Sequence, residues 1–355
     1  MGGSQGAEVF GKVVPPVIKM IKDKLHRQFE YLRISVTDKC NYRCIYCMPK
    51  DIFGSKHKFL QKNELLTYEE IIEVAKTLKP FGLKKIRLTG GEPLLRKNLE
   101  ALVGGLKKDA EIEKVMITTN GSLLTKQKII SLKNNGLDSV TLSLDASSQK
   151  IGNIMNPINS NHALVSEAID NVISVFNEIK INMVVIKGIN DGEIIPMLDK
   201  FLDKNIELRF IEYMDVGESN NWLLGNVFTS KETIALINKH YCLTKLTDSI
   251  DSTSTKWTIN DHALNIAFIS SISKPFCSEC NRGRLSANGN FYTCLFSNKP
   301  YSFSKYFKNK DGALSFNDYF TKIWSNRDDQ YSQLRFISKL DKSKRNKVEM
   351  SYIGG

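Results

Sequence analysis

Two spacings of apolar residues alternate along most of the chain. Short β-branched runs are typical of strands, and stretches with an apolar residue every three or four positions are typical of helices. Ile71, Ala75 and Leu78, for example, fall on one helical face. Thr67 and Glu70 can form a capping box in front of that face. The pattern predicts strands at residues 31–37, 85–89, 115–119, 140–144, 181–186 and 207–213, and helices at 68–79, 99–107, 126–134, 162–176 and 194–204.

Strands that alternate with helices predict a parallel α/β sheet, here of six strand–helix units. Six units are too few for a closed barrel of eight strands. In barrels of parallel strands the chemistry lies at the carboxyl ends of the strands. Cysteine-, glycine- or hydroxyl-containing segments follow four of the predicted strands, at residues 38–49, 90–93, 118–121 and 143–145. Four motifs at equivalent strand ends predict one shared site.

The pattern changes after about residue 217. The remaining chain predicts a helix at residues 231–239 and strands at 256–259 and 264–269, separated by a polar stretch at 247–255. We therefore expect residues 218–355 to form a smaller α+β domain that packs over the open face of the first. Residues 1–22 are expected to be a flexible tail or an artificial extension. Residues 299–307 and 314–324 could not be assigned to an element.

Six of the seven cysteines form two groups of three. The first group is Cys40, Cys44 and Cys47, and the second is Cys277, Cys280 and Cys294. Three thiolates can hold three irons of a [4Fe–4S] cube and leave the fourth iron open. An open iron beside a carbon–sulfur bond is what reductive cleavage of S-adenosylmethionine requires. The two groups predict two clusters, and Cys242, the seventh cysteine, is expected to be a small buried hydrophobe.

Structural zinc is the alternative for either cysteine group. Without an export signal, ligation of a metal or cluster is favoured over disulfides, and zinc usually takes four Cys or His ligands. His57 lies ten residues after Cys47, and His262 lies fifteen residues before Cys277. Neither histidine is an obvious fourth ligand, so the spacing favours iron–sulfur clusters.

The formal net charge of +12 over 355 residues suits an anionic partner, either nucleic acid or a phosphorylated small molecule. No apolar run approaches the roughly 18–20 residues that cross a membrane. The first twenty residues lack the charged-then-apolar order of a signal peptide. Composition therefore indicates a globular protein, and because much of the excess charge is scattered lysine of the kind that serves solubility, only arginines in strands or near the cysteines count as evidence for an anion site.

Seven cations lie within the predicted strands or beside the second cysteine group. Charged residues inside strands are costly unless paired, and cations around one cavity repel each other until an anion arrives. Guanidiniums match phosphate oxygens, and alternate arginines share a face of an extended segment. The seven are Arg33, Lys85, Arg87, Lys180, Arg209, Arg282 and Arg284. As a group they predict a triphosphate site, whereas a salt bridge is the alternative for any strand cation alone.

The first cysteine run, residues 38–49, resembles the signature of the radical S-adenosylmethionine enzymes. The second group, the segment 280–286 and the ending Gly354-Gly355 resemble the GTP 3′,8-cyclase family, from about residue 20 to the end. The resemblance implies an incomplete (β/α)6 TIM-type barrel over residues 23–217, with the second cluster in the carboxyl-terminal domain. It also implies two [4Fe–4S] clusters, S-adenosylmethionine, and cyclisation of GTP to (8S)-3′,8-cyclo-7,8-dihydroguanosine 5′-triphosphate, the first step of molybdenum cofactor biosynthesis.

The same resemblance implies roles for individual residues. It implies that Tyr46 and Met214 flank the adenine of S-adenosylmethionine, that Gly91 belongs to the strip binding its amino and carboxylate groups, and that Ser143 bonds it. Gly354 and Gly355 are implied to reach the active site and support catalysis. GTP is implied to bind Arg33, Arg87, Thr118, Lys180, Arg282 and Arg284. Lys85 and Arg209 join that set because they lie in the same predicted strands.

The resemblance further implies a cytoplasmic homodimer that uses an electron donor and passes its product to cyclic pyranopterin monophosphate synthase. A membrane or nucleic-acid partner is not expected. Two other functions stay open. A two-cluster radical enzyme acting on a peptide would lack a triphosphate cradle, and a zinc-bearing nucleic-acid binder would be colourless and bind duplex in a salt-sensitive way.

Overall fold

A computed structural model describes residues 20–158, 161–247, 253–307, 315–335 and 347–354. Six neighbouring parallel strands in chain order form its centre: β1 Tyr31–Ser35, β2 Lys85–Thr89, β3 Lys114–Thr119, β4 Ser139–Ser143, β5 Ile179–Val185 and β6 Glu207–Glu212. All six strands predicted for this region are confirmed. The parallel order follows because each strand returns to the sheet through a helical connection.

The helices of this half are α1 Tyr68–Leu78, α2 Leu99–Lys108, α3 Lys126–Asn134, α4 Gln149–Met155, α5 His162–Ile173 and α6 Ile194–Phe201. The capping box of α1 is present, since the Thr67 hydroxyl accepts from the Glu70 N–H at 3.1 Å and the Glu70 carboxylate accepts from the Thr67 N–H at 2.6 Å. Helix α4 was not predicted, because seven residues with Gly152 among them give no clear helical periodicity.

Side chains alternate between the two faces of each central strand. On β1, Leu32 and Ile34 are fully buried in the hydrophobic core, and Arg33 between them lines a cavity. On β2, Ile86 and Leu88 are buried in the core in the same way, with Arg87 facing the cavity. One face of the sheet is thus apolar and covered by helices, and the other carries the polar chemistry.

The carboxyl-terminal elements include six more strands. They are β7 Leu243–Lys245, β8 Thr255–Ile259, β9 Asn265–Ile269, β10 Arg282–Leu285, β11 Asn290–Tyr292 and β12 Tyr301–Ser302. The helices are α7 Ser230–Ile237, α8 Ser304–Phe307, α9 Phe316–Ser325, α10 Tyr331–Leu334 and α11 Met350–Ile353. The predicted helix and two strands of this region correspond to α7, β8 and β9.

The carboxyl-terminal strands continue the central sheet at both of its edges. The order is β12-β11-β10-β1-β2-β3-β4-β5-β6-β9-β8-β7, with β10 parallel to β1 and β9 parallel to β6. Arg33 is paired in register with Arg87 on one side and Arg284 on the other. The later part of the chain therefore lengthens the sheet instead of only packing over its open face, and it brings β10 arginines beside those of β1 and β2. The division near residue 217 stays a prediction.

Helix α9 accounts for most of the second segment that could not be assigned from sequence. Its Phe320 and Trp324 pack on Phe29 with ring centroids 5.0 and 4.9 Å apart. The Trp324 indole donates to the carbonyl of Arg27 at 3.1 Å. This aromatic cluster fixes the segment before β1 against the segment after α9.

Two expectations at the periphery need revision. Cys242 is exposed just before β7, so it is not a buried hydrophobe. Residues 1–19 of the expected tail lie outside the described residues, but Ile21 is buried and Lys22 pairs with Gln28, so the end of that segment belongs to the packed structure. Among the described residues, no helix is long and apolar enough to cross a membrane.

Candidate active site

A cavity of about 410 Å³ lies against the polar face of the sheet. Its wall takes alternate residues from the strands, such as Lys180 and Asn182 on β5 and Arg282 and Arg284 on β10. The eight residues predicted to bind the substrate all lie on this wall: Arg33, Lys85, Arg87, Thr118, Lys180, Arg209, Arg282 and Arg284. The second cysteine group lies there too, with Met214. Alternation along parallel strands thus gathers residues that are up to 251 positions apart (284 − 33).

Arg87 is held rigidly in the cavity wall. It donates from Nε to the Tyr31 hydroxyl at 2.6 Å and from Nη1 to the hydroxyls of Thr141 at 2.8 Å and Thr118 at 3.2 Å. Burial raises the pKa of Tyr31, but Arg87 and Arg33 outweigh burial and lower it to about 8. A phenol that ionises so readily reports a strongly positive cavity.

Several of the cavity cations already have carboxylate partners. Lys180 and Lys114 both pair with Glu178, and Arg209 pairs with Glu207 at 2.5 Å. Burial raises the pKa of Glu178, but its bonds to Lys114 and Lys180 lower the value to about 2. For Lys180 and Arg209 the salt-bridge alternative is therefore present, because Glu178 and Glu207 lie two residues earlier on the same strand face.

The arginines of β1 and β10 form the strongly positive side of the cavity. Burial lowers the pKa of Arg284 to about 10, and the charge of Arg282 acts in the same direction. Burial also lowers the pKa of Arg33, as do the charges of Arg284 and Arg87. The buried Nε of Arg282 has no hydrogen-bond partner within the described part of the chain. Mutual repulsion and an unused donor are what a bound polyanion would relieve.

The second cysteine group is supported by a buried charge cluster that the sequence did not reveal. Arg27 donates to the carbonyl of Cys277 at 2.6 Å, and Arg327 donates to the carbonyl of Cys280 at 2.7 Å. Asp23 bonds both guanidiniums, at 2.6 and 3.4 Å. Because Asp23 and Arg327 are 304 residues apart, only the fold could show their contact.

The thiols of this group differ in acidity, since burial raises the pKa of Cys294 to about 12. Burial raises the pKa of Cys280, but Arg282 and Arg327 outweigh it and lower the pKa to about 6. Among the described residues, no three Cys, His, Asp or Glu side chains are close enough to share one metal ion. A cube is held differently, by one cysteine on each of three irons. His262, the histidine considered for zinc, lies near Asp203, with its Nδ1 3.8 Å from the carboxylate.

The first cysteine group lies in the loop after β1, outside the cavity wall. The N–H groups of Cys47 and Met48 both donate to the Cys44 carbonyl, at 3.0 and 2.9 Å. Arg43 braces the loop by donating to the carbonyls of Cys40 and Phe53, at 2.8 and 2.7 Å. Burial, with the charge of Glu92, raises the pKa of Cys40 to about 11. Burial and the charges of Asp145 and the other two thiolates raise the pKa of Cys44. Crowded, buried thiols of this kind suit a ligand that carries positive charge.

The glycines after β2 allow the first cysteine loop to approach the backbone closely. A Cβ on Gly91 would lie 2.2 Å from the Lys39 carbonyl oxygen, and one on Gly90 would lie 2.4 Å from that of Thr37. The Gly91 N–H donates to the Thr37 carbonyl at 2.8 Å. These two glycines therefore let the cysteine loop pack directly against the backbone, and the predicted contact of Gly91 with S-adenosylmethionine stays a prediction.

Two other predicted residues, Tyr46 and Ser143, lie at the same edge of the sheet. Tyr46 donates to Asp145 at 2.9 Å, directly beyond β4, and burial raises the pKa of Asp145 to about 6. Ser143 ends β4 and is paired in register with Asn182, whose buried Oδ1 has no partner among the described residues. Asn182 was missed, although its alternation with Lys180 could have indicated it.

The carboxyl terminus enters the cavity region. The Gly354 carbonyl accepts from Arg33 Nε at 3.0 Å and from Arg284 Nη1. Gly354 has a φ of 69°, and a Cβ there would lie 2.4 Å from the Thr89 methyl group. Gly354 therefore reaches the predicted substrate arginines, and Gly355 lies outside the described residues.

Comparison with known proteins supports the class that the sheet and the first cysteine loop define. Residues 34–201 match the model of the Radical SAM superfamily, and residues 206–333 match that of Molybdenum Cofactor Synthesis C. A crystal structure of Streptococcus suis SuiB bound to S-adenosylmethionine covers 88% of this chain and 69% of its own, with a TM-score of 0.60 and 16% identity. That likeness concerns the fold. The fold and first cysteine loop are those of a radical S-adenosylmethionine enzyme.

Curated relatives show which family of radical S-adenosylmethionine enzymes the chain is similar to. A GTP 3′,8-cyclase from Staphylococcus epidermidis is 42% identical over 339 residues, covering 95% of this chain and 99% of the relative. One from Staphylococcus aureus is 41% identical over 343 residues, covering 96% and 100%. The chain belongs to the GTP 3′,8-cyclase family.

Proposed function

We propose that this chain cyclises GTP to (8S)-3′,8-cyclo-7,8-dihydroguanosine 5′-triphosphate, the first step of molybdenum cofactor biosynthesis. One observation carries the proposal: the second cysteine group and all eight predicted substrate residues line the same cavity. The family relationship supports the same reaction. A nucleoside triphosphate fits such a cavity, because the cations can bind its phosphates at one end and an open iron can bind its base at the other.

The chain's residues bind and orient the two reactants. Arg33, Arg282 and Arg284 receive the triphosphate, because β1 and β10 bring these three guanidiniums together on the cavity wall and the buried Nε of Arg282 has no hydrogen-bond partner among the described residues. Arg87 adds a guanidinium already oriented by Tyr31 and Thr141. Thr118, Lys85, Lys180 and Arg209 complete the wall. Fixed donors of this kind position the ribose and base without reorganisation.

The two cysteine groups hold two [4Fe–4S] clusters. Cys40, Cys44 and Cys47 hold the first, with Tyr46, Gly91, Ser143 and Met214 around S-adenosylmethionine, and Cys277, Cys280 and Cys294 hold the second beside the guanine base. When bound and reduced, the first cluster supplies the electron that cleaves S-adenosylmethionine to the radical that removes hydrogen from C3′ of GTP. Gly354 and Gly355 support catalysis from the end of the chain.

The remaining proposals rest on the family relationship alone. The enzyme acts in the cytoplasm as a homodimer, receives electrons from a separate donor and passes its product to cyclic pyranopterin monophosphate synthase. Residues 23–217 and 218–355 form its cofactor and substrate-cluster parts. The peptide-modifying and nucleic-acid-binding alternatives are not favoured, since the relatives are GTP 3′,8-cyclases and the cavity cations line one cavity of about 410 Å³.

The test is an anaerobic assay of reconstituted protein with GTP, S-adenosylmethionine and a chemical reductant. We expect about eight irons per chain, as two cubes require, and a cyclised isomer of GTP that is separated from GTP by chromatography and has the same mass. The Cys294→Ala variant should keep the first cluster and lose the cyclised product. Cleavage of S-adenosylmethionine with no change in GTP, in protein holding both clusters, would contradict the proposed function.

A further inference from the structure

Residues 347–354, called the terminal strap below, connect two distant parts of the site. One end lies on the loop that follows β6, where Lys347 Nζ is 2.8 Å from the Asp215 carbonyl and 3.2 Å from its carboxylate. The other end lies on β1 and β10, where Gly354 accepts from Arg33 and Arg284. Met350, between the two ends, lines the cavity. The strap thus runs from the loop carrying Met214 to the substrate arginines.

The first attachment is built around the carboxylate of Glu349. This carboxylate accepts from the N–H of Glu218 at 3.0 Å, from the N–H of Ser219 at 3.2 Å and from the Ser219 hydroxyl at 2.7 Å. Two consecutive N–H groups and a hydroxyl directed at one anion are a strong, charge-assisted arrangement. Glu349 therefore has a specific partner site on this loop and is not a loose terminal side chain.

Gly217 shows that the loop is shaped to receive Glu349. Its φ is 74°, and a Cβ there would lie 2.2 Å from Glu349 Oε2. Any other residue would meet both backbone strain and the carboxylate. We call Gly217, Glu218, Ser219 and Glu349 the latch.

The second attachment leaves the strap little freedom. Ile353 is fully buried, and the Tyr352 hydroxyl donates to Asn288 at 2.7 Å. Gly354 fits between Thr89 and the two arginines only because it lacks a side chain. Gly354 lies only five positions after Glu349 (354 − 349). The latch therefore sets the position at which the strap ends.

We propose that Glu349 is a positioning residue whose latch sets the reach of the terminal strap, so that cleavage of S-adenosylmethionine is coupled to conversion of GTP. The coupling part rests on the proposed function, and the latch itself does not. The terminal strap connects the loop that carries Met214, on the cofactor side, to Arg33 and Arg284, on the substrate side. If the latch opens, Gly354 leaves Arg33 and Arg284, and cofactor cleavage continues while GTP is no longer held for hydrogen removal.

The first experiment measures hydrogen exchange of the strap amides in reconstituted full-length protein without GTP or S-adenosylmethionine. Glu349→Ala and Gly217→Ala should each speed exchange of residues 350–354 by about tenfold or more, the scale of a lost charge-assisted bond. Glu232→Ala is the matched control. Its carboxylate accepts from the Thr229 N–H at 2.8 Å and the Thr229 hydroxyl at 2.7 Å, but it caps α7 and touches no strap residue. Unchanged strap exchange in both latch variants would overturn the latch.

The second experiment measures the ratio of cyclised nucleotide to 5′-deoxyadenosine under saturating substrates. The ratio should fall about tenfold in Glu349→Ala and Gly217→Ala, with iron content unchanged, and should match the parent chain in Glu232→Ala. The 5′-deoxyadenosyl radical that does not react with GTP would then take a hydrogen atom from buffer or reductant and accumulate as excess 5′-deoxyadenosine. Faster strap exchange with an unchanged ratio would overturn the coupling. Faster exchange in a protein whose parent chain makes no cyclised nucleotide would instead reject the proposed function and leave the latch standing.

Discussion

At the scale of single residues, pairing decides which cations can receive a ligand. Lys180 and Arg209 have Glu178 and Glu207 beside them on the same strand face. Arg282 has a buried donor without a partner among the described residues, and the pKa of Arg284 is lowered by burial and by Arg282. On one side of the cavity, carboxylates nearly balance the positive charges of Lys180 and Arg209. On the other side, the positive charges of Arg282 and Arg284 are not yet neutralised by carboxylates of the residues that the structure describes.

Removing a cation from each side should affect GTP binding unequally. Arg282→Ala should weaken GTP binding by about 1.5–3 kcal/mol, the range for a charge-assisted hydrogen bond. Lys114→Gln, which removes a cation already paired with Glu178, is the control and should change binding much less. Anaerobic equilibrium dialysis measures both affinities. Equal losses in the two variants would show that the pairing seen in the structure does not decide where the phosphates bind.

The proposed GTP site should also lose affinity as Tyr31 ionises. The positive cavity lowers the pKa of Tyr31 to about 8, so its phenolate appears above that pH and offsets the charge of Arg87. Because the phenolate repels the triphosphate, GTP affinity should fall as pH rises from about 7 to 9. Tyr31→Phe should remove that part of the decline. A pH profile that is the same in both proteins would contradict the prediction.

The ionisation of Tyr31 also makes the stability of the folded protein depend on pH. Its folded pKa lies below the usual value of 10.0, so it contributes stability that is fully present above pH 10 and is lost as pH falls through about 8. Absorbance of the phenolate would follow the titration directly, and Tyr31→Phe should abolish the transition near pH 8.

At the scale of elements, periodicity was enough to predict the six central strands and five of the helices between them. The strand-end motifs then predicted that the first cysteine group follows β1 and that Ser143 lies at the end of β4, as the structure has them. At the glycine strip the sequence shows that a backbone must come close, but not that the first cysteine loop is one of the segments that approach it. Short elements such as α4 and β10 depend on tertiary contacts and left little signal of their own.

Gly91→Ala tests whether the glycine strip is needed for the position of the first cysteine loop. The added methyl would meet the Lys39 carbonyl at 2.2 Å and should displace the first cysteine loop. We expect the iron content to fall from about eight towards about four per chain, since one cube is lost. Gly192→Ala is the control, because a Cβ there meets nothing within 4 Å. Full iron content in Gly91→Ala, measured by colorimetric analysis, would contradict the close approach.

At the scale of the whole molecule, the contacts that complete the site join residues far apart in sequence. The register of β10 beside β1 brings Arg284 to Arg33, and the charge cluster of Asp23, Arg27 and Arg327 fixes the backbone of the second cysteine group. The cations themselves could be predicted from the strand pattern. The local partners Glu178 and Glu207 lie two residues before Lys180 and Arg209 and could have been predicted from the same alternation, whereas the contact of Asp23 with Arg327 depends on tertiary structure.

Asp23→Ala should be strongly destabilising. It would leave Arg27 and Arg327, both almost fully buried, without their shared carboxylate, and breaking a buried pair costs about 3–5 kcal/mol. Lys24→Ala removes an exposed pair with Asp328 and should cost about 0–1 kcal/mol. Anaerobic urea unfolding of the reconstituted protein measures the difference. Equal unfolding midpoints would show that the buried cluster has little effect on stability.

The position of β9 and β10 has a consequence for how the protein is made. While the ribosome is still synthesising the chain, β1 and β6 are exposed edges, and their partners β10 and β9 appear only when residues 265–285 have emerged. Open edges of parallel strands can pair with other chains, and long-range pairing closes slowly. The newly made half must therefore be shielded from other nascent chains until its own carboxyl-terminal strands arrive, and slow translation of residues 213–265 would lengthen the period in which it can aggregate.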